Sequence, residues 1–168
     1  SVLSVFQKKL AVKLTNGSIG VGKYLEKYYG VKFNKIIYGA VEPTTGKFRR
    51  MKNSIVFLGR LSIDNGVLEF LEWLKRNKKL KASFVGDGEL RKKCEKYGKV
   101  YGFVENPQKY LMSAEYVVPG GYLASLEAFS YKCKVKVFWK NKTKEDYWKM
   151  SPMYKYIELL TIGFLYML

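Results

Sequence analysis

The sequence predicts an α/β fold built on a mostly parallel, doubly wound sheet, and two observations carry that prediction. From residue 53 onward, short apolar runs alternate with segments of helical period, which is the pattern of parallel strands joined by crossover helices. The chain has 168 residues, 48% of them hydrophobic, which is enough for one sizeable core and short for two full domains. A single domain with right-handed strand connections follows.

The elements are read in order. LAVKLT (10–15) is strand-like, GSIGVGKYLEKYYG (17–30) helix-like and FNKIIYGA (33–40) strand-like, so residues 1–50 form a βαβ-like segment that ends in a linker. EPTTGKFRRMKN (42–53), polar and turn-rich, is that linker. Residues 51–150 carry the main sheet. SIVFLG (54–59) reads as a strand, and GVLEFLEWLKRN (66–77) as a helix burying Val67, Leu68, Phe70, Leu71 and Leu74. Strand KASFVG and helix ELRKKCEKYG come next, then the short strand KVYGFV and helix NPQKYLMSA with Pro107 at its start. EYVV is a strand, GYLASLEAFSYK a helix, KVKVF a strand and KTKEDYWKM a helix. Residues 151–168 form a helix apolar nearly all round, which must be buried, lie on a membrane or pack on a partner.

Composition narrows the function classes. Lys and Arg number 31 against 14 Asp and Glu, a net charge of +17, so the field attracts anions: nucleic acid, anionic membrane or phosphorylated small molecules. The chain has no histidine, and Cys94 and Cys133 lack metal-type spacing. The usual zinc sites and the Ser-His and Cys-His nucleophile pairs are therefore excluded, and the two thiols fit a reduced, cytosolic protein. Residues 1–14 lack the apolar region and small-residue cleavage site of a signal peptide. The run 156–168 is interrupted by Glu158 and Gly163 and is shorter than the roughly 20 residues a bilayer span requires.

In an open parallel sheet, ligands bind beyond the carboxyl ends of the strands. The residues found there are Gly59-Arg60, Gly86-Asp87-Gly88, Gly102-Phe103-Val104 and Pro119-Gly120-Gly121. Taken singly, each is the common glycine turn of an α/β protein. Four together describe a cleft where a ligand approaches backbone and helix N-termini face a phosphate.

The ordered set of motifs resembles the donor-binding half of retaining glycosyltransferases of the GT-B fold. The matching residues are Gly59-Arg60-Leu61 after a strand with Gly66 following, the strand ending FVGDGELRKKCEK, the segment VYGFVENPQKYLMSAEYVV, and Leu126-Glu127-Ala128 in a helix. The resemblance covers residues 55–138 and, more weakly, 11–43. It implies a single Rossmann-like three-layer domain, the C-terminal half of a GT-B enzyme, that binds a UDP- or GDP-sugar without metal or other cofactor. The donor site it implies comprises Gly59, Arg60, Asn65, Gly86, Asp87, Gly88, Gly102, Phe103, Val104, Gly120, Gly121, Tyr122, Leu123 and Glu127, with Arg60 and Glu127 as the catalytic pair. Arg60 would grip the diphosphate as a planar guanidinium fork, and Glu127 would accept hydrogen bonds from the ribose. Gly102, Phe103 and Val104 would face the base, while Gly120 and Gly121 would offer N–H groups to the phosphates or sugar.

Two positions depart from the family pattern. Asn65 stands where the family has lysine, and Pro119 where many members have glutamate. Lys132, Lys134, Lys136 and Lys140 are the candidates to restore the lost charge. Nucleotide-sugar binding is thus the firmer expectation and transfer chemistry the weaker; an inactive nucleotide-sugar-binding subunit is one alternative. A basic nucleic-acid-binding module is the other, motivated by the charge and 14 tyrosines but by no nucleic-acid motif. The expected partners are the donor, a separate acceptor-domain subunit, and an anionic membrane or lipid-linked acceptor, with a cytoplasmic, peripheral location.

Overall fold

The computed structural model describes residues 2–161. Helix α1 (Val2–Leu14) opens the chain, followed by strand β1 (Ile19–Gly20), helix α2 (Tyr24–Tyr29) and strand β2 (Lys35–Ile36). The strands β1 and β2 pair in parallel as a small sheet of their own. The main body then runs β3 (Met51–Leu58), a 3-10 turn at Ile63–Asn65, α3 (Val67–Arg76), β4 (Lys81–Val85), α4 (Arg91–Cys94), β5 (Gly98–Val100), α5 (Gln108–Leu111), β6 (Ala114–Pro119), α6 (Tyr122–Ser130), β7 (Lys134–Val135) and α7 (Lys142–Lys149). Helix α8 (Tyr154–Thr161) closes the described chain.

The five strands of the main sheet lie in the order β5-β4-β3-β6-β7, all parallel, with helices on both faces. This is the doubly wound architecture the alternation predicts. β3 sits at the centre, so its second half is buried on both faces and reads as a continuous apolar run. Its side chains divide by parity. Ile55 and Phe57 join Phe70, Leu74 and Phe84 beneath α3, while Val56 and Leu58 join Val117, Ala128, Val135 and Trp148 on the face covered by α6, α7 and α8.

The first 50 residues differ from expectation. Residues 10–14 end a helix and are not a strand: LAVKLT alternates over six positions, but Leu3, Phe6, Leu10 and Leu14 repeat every three or four over the longer stretch. Residues 17–30 do not form one helix. Gly20 and Gly22 are poor helix residues, and Gly20 lies directly against the Phe33 ring, so the chain takes a short β1 there and helix begins only at Tyr24. The β-strand expected over 33–40 shrinks to Lys35–Ile36, and the helix expected over 89–98 to the single turn Arg91–Cys94. The apolar helix expected over 151–168 is described only as Tyr154–Thr161; residues 162–168 lie outside the described part.

Candidate functional site

The register places the carboxyl ends of three strands level. Leu58 of β3 is opposite Val85 of β4 on one side and Pro119 of β6 on the other. The turns that follow are stitched to one another by backbone hydrogen bonds. Gly59 N donates to Val85 O (3.0 Å), Gly120 N to Leu58 O (2.8 Å), Leu61 N to Asp87 O (2.9 Å), and Gly86 N to Gly102 O (2.8 Å). All four glycine-bearing turns therefore lie along one rim.

The close approach is what requires glycine. A Cβ on Gly86, at φ 138°, would stand 1.9 Å from Gly59 O, and one on Gly59, at φ 145°, would stand 3.0 Å from Gly120 Cα. The same contacts spend the N–H groups. Gly59, Gly86 and Gly120 donate within the rim, Gly88 donates to Asp87 Oδ1 (2.8 Å), and Tyr122 N, at the start of α6, donates to the Tyr147 hydroxyl. The expected offer of the Gly120 N–H to a ligand is taken up by the Leu58 carbonyl. Side chains add positive charge at this rim.

Two cations supply it. Arg60 is exposed, and its guanidinium makes no hydrogen bond or ion pair among the described residues. Lys144, from the first turns of α7, reaches the same rim: its Nζ donates to Asn65 Oδ1 (3.0 Å) and to Gly120 O (2.8 Å). Asn65 in turn donates from Nδ2 to Arg60 O (3.0 Å), so one amide links the two basic residues. Burial pushes the Lys144 ammonium down to about 8; Asp64 acts upward on it and Arg60 downward. Asp64 is held below the usual carboxylate range, first by the nearby Ser62 hydroxyl, whose contact falls outside full hydrogen-bond geometry, and then by its own backbone, Arg60 and Lys144.

The remaining residues of the expected site are distributed as follows. Asp87 is satisfied locally, accepting from Gly88 N and pairing with Arg91 at 2.7 Å, which makes it a turn-former. Phe103 stands out from the rim with 84% of its surface exposed, and Val104 packs on the α6 side of the core. Gly121 faces the Tyr147 hydroxyl; Tyr122 packs on Tyr38, and Leu123 covers Gly39. Glu127 lines an open cleft of about 600 Å³ with the linker residues Ala40 to Thr45, Gln108 and Ser130. Its carboxylate makes no hydrogen bond or ion pair among the described residues, and burial raises its pKa. The linker wall is tied down by Ser130 Oγ, which accepts from Thr44 N (2.9 Å) and donates to Glu42 O (3.2 Å).

Of the lysines expected to restore the missing charge, Lys134 and Lys136 are engaged away from the rim. Lys132 precedes β7, at the opposite end of the strand from the rim, Lys134 pairs with Glu115, and Lys136 lies over the Trp73 and Tyr116 rings. Lys140 is exposed on the loop before α7. Lys144 and Tyr147 were not identified from the sequence, because nothing in KTKEDYWKM marks which face of that helix meets a turn 79 residues earlier.

Five parallel strands with a stitched glycine rim define a Rossmann-like half of the GT-B architecture. The likeness to TarM bears the fold out. TarM superposes with a TM-score of 0.62 at 19% identity, over 74% of this chain and 30% of its own. A point variant of S. aureus TarM in complex with fondaparinux, alpha-GlcNAc-glycerol and UDP gives a TM-score of 0.60 at 19% identity, over the same shares. The pneumococcal O-GlcNAc transferase GtfA, in complex with UDP and GlcNAc, gives 0.48 at 19% identity, over 67% of this chain and 27% of its own. No family model and no curated protein matches the sequence. The chain spans about 30% of the length of TarM, and what the likeness establishes is the fold.

Proposed function

We propose that this chain is the donor-binding half of a nucleotide-sugar-dependent glycosyltransferase. The observation that carries the reading is the rim itself: four turns held together by their own N–H groups, bearing an arginine that makes no ion pair among the described residues, while α6, which starts at that rim, carries the half-buried carboxylate of Glu127 in the adjoining linker cleft. A guanidinium in that position suits the diphosphate of a nucleotide sugar, and an acceptor-only carboxylate suits vicinal ribose hydroxyls. Phe103, exposed beside Gly102, offers a face to the base. In this reading catalysis is electrostatic: cations at the rim stabilise the departing diphosphate, with no protein nucleophile. The acceptor is presented by a second domain or subunit.

Calorimetric titration with UDP, GDP and their sugars tests the proposal. The expected result is saturable binding of at least one nucleotide sugar, weakened about 10- to 100-fold by Arg60→Ala, the usual loss for a charge-assisted contact. Absence of heat with every nucleotide would remove the proposal.

A further inference from the structure

We propose that Lys144 is the second cation of the phosphate seat, carried to the rim by α7 and positioned there by Asn65, so that Arg60 and Lys144 together hold the diphosphate. The inference rests on the donor-binding reading above and assigns the residue that completes it.

The geometry gives the lysine no sufficient internal purpose. An ammonium has three protons to donate, and two are used, both on neutral acceptors, Asn65 Oδ1 and the Gly120 carbonyl. No carboxylate is within ion-pair distance of its Nζ among the described residues, although the same helix carries Glu145 and Asp146, which pair instead with Lys142, Lys149 and Lys27. The groups facing Lys144 are Arg60 and Asp64 from the turn after β3, Asn65, the Gly120 carbonyl from the turn after β6, and the Tyr147 and Trp148 rings of its own helix, at 4.6 and 5.7 Å. Beyond Tyr147 lie Tyr24 of α2 and the start of α6. Burying an ammonium beside a guanidinium costs free energy unless an anion arrives to compensate both. Asn65 ties the Lys144 ammonium to the backbone carbonyl of Arg60, and the Arg60 charge acts directly on that ammonium, so an arriving anion can meet the two cations together. A diphosphate, carrying charge on adjacent phosphoryl groups, is the ligand that such a pair suits.

Nor is the position of Asn65 incidental. A lysine there would carry the charge on the turn itself; the amide instead receives the charge from α7 through its Oδ1. Asn65 is a positioning residue in this scheme, and Lys144 is the group that touches phosphate.

The test is calorimetric titration of the full chain with UDP-glucose and with GDP-mannose, whose diphosphate groups do not titrate near neutrality, at pH 8 in two buffers of different protonation enthalpy. Lys144, with its pKa near 8, is about half neutral there before binding, and a bound diphosphate raises that pKa, so binding takes up about half a proton. Lys144→Gln is expected to lower affinity about 10- to 100-fold and to abolish the uptake. Asn65→Lys combined with Lys144→Gln is expected to regain most of the affinity, which covers the case in which the single variant folds poorly. If the wild type binds and Arg60→Ala weakens that binding, while Lys144→Gln changes neither affinity nor proton uptake, this inference is overturned and the donor-binding reading stands. If the wild type binds neither nucleotide sugar, the donor-binding reading is overturned, and this inference falls with it.

Discussion

Glu127 and Lys144 carry opposite charges, and burial acts on both in the same sense, favouring the neutral form. For Glu127 the sign has a consequence for stability. Its folded pKa lies above the unfolded value, so no stability is lost below the unfolded pKa, and stability falls as the pH rises from there through the folded pKa. Glu127→Gln is therefore expected to raise the melting temperature at pH 7 and to leave it nearly unchanged at pH 3, by calorimetry or circular dichroism. The same variant is expected to weaken nucleotide-sugar binding about tenfold, because an amide presents one acceptor oxygen where the carboxylate presents two. A gain in stability accompanied by a loss in binding is the signature of a group retained for its ligand. A lower melting temperature at pH 7 would instead make Glu127 a structural partner whose contacts lie in the cleft wall. Arg50 provides the contrast on the basic side. It lies ten positions before Arg60 in a charge-rich stretch, yet its guanidinium is spent on the carbonyls of Leu111 (2.7 Å), Ala114 (2.9 Å) and Tyr131. Charge alone does not separate a ligand-facing arginine from one that ties loops together.

Helix α7 is the element on which the site depends, and its own construction is short-range. Asn141 caps it, with Oδ1 accepting from Lys144 N at 2.9 Å, and Trp148 anchors it, fully buried against the β7 side of the core. Asn141→Ala is expected to cost about 1 kcal/mol of stability by denaturant unfolding. It is also expected to reduce nucleotide-sugar affinity, because the capped amide and the Nζ at the rim belong to the same residue. An affinity unchanged in the folded variant would show that Lys144 is held by the rim and not by its helix. The strands that frame this site were legible in the sequence. SIVFLG, KASFVG and EYVV each close on buried apolar residues of a parallel sheet, and each ends in a glycine turn or a Pro-Gly-Gly turn that marks the rim. The docking of α7 was not legible, since the hydrogen bond from Lys144 to Asn65 is a property of tertiary packing. The N-terminal segment is ambiguous in the sequence for a different reason: six residues satisfy a two-residue period and a helical one equally well, and only the longer run from Leu3 to Leu14 separates them.

The whole molecule carries far more positive charge than its few carboxylates can neutralise. Six of those 14 carboxylates, Glu72, Asp87, Glu95, Glu115, Glu145 and Asp146, lie in ion pairs, mostly exposed ones of small individual worth. One of them joins the N-terminal unit to the main domain: Lys27 of α2 meets Asp146 of α7 at 2.6 Å, beside the Tyr24 and Tyr147 rings 5.1 Å apart. The surplus, +17, remains as mutual repulsion across the surface. Repulsion between exposed charges is screened within a Debye length, so raising sodium chloride from about 0.05 M to about 0.5 M is expected to raise the melting temperature by a few degrees. A fall would mean that the exposed ion pairs outweigh the repulsion. Screening also separates the ligand classes that so basic a surface attracts. A nucleotide sugar seated on Arg60 and a partly buried Lys144 engages two cations, so its affinity is expected to decline shallowly over that range. Single-stranded DNA spread over exposed lysines would lose affinity steeply, in proportion to the number of phosphates neutralised. Parallel salt titrations by calorimetry and by fluorescence anisotropy therefore distinguish a seat for one diphosphate from a surface for a polyanion. A steep slope for DNA with no measurable nucleotide-sugar binding would turn the reading of the molecule toward nucleic acid.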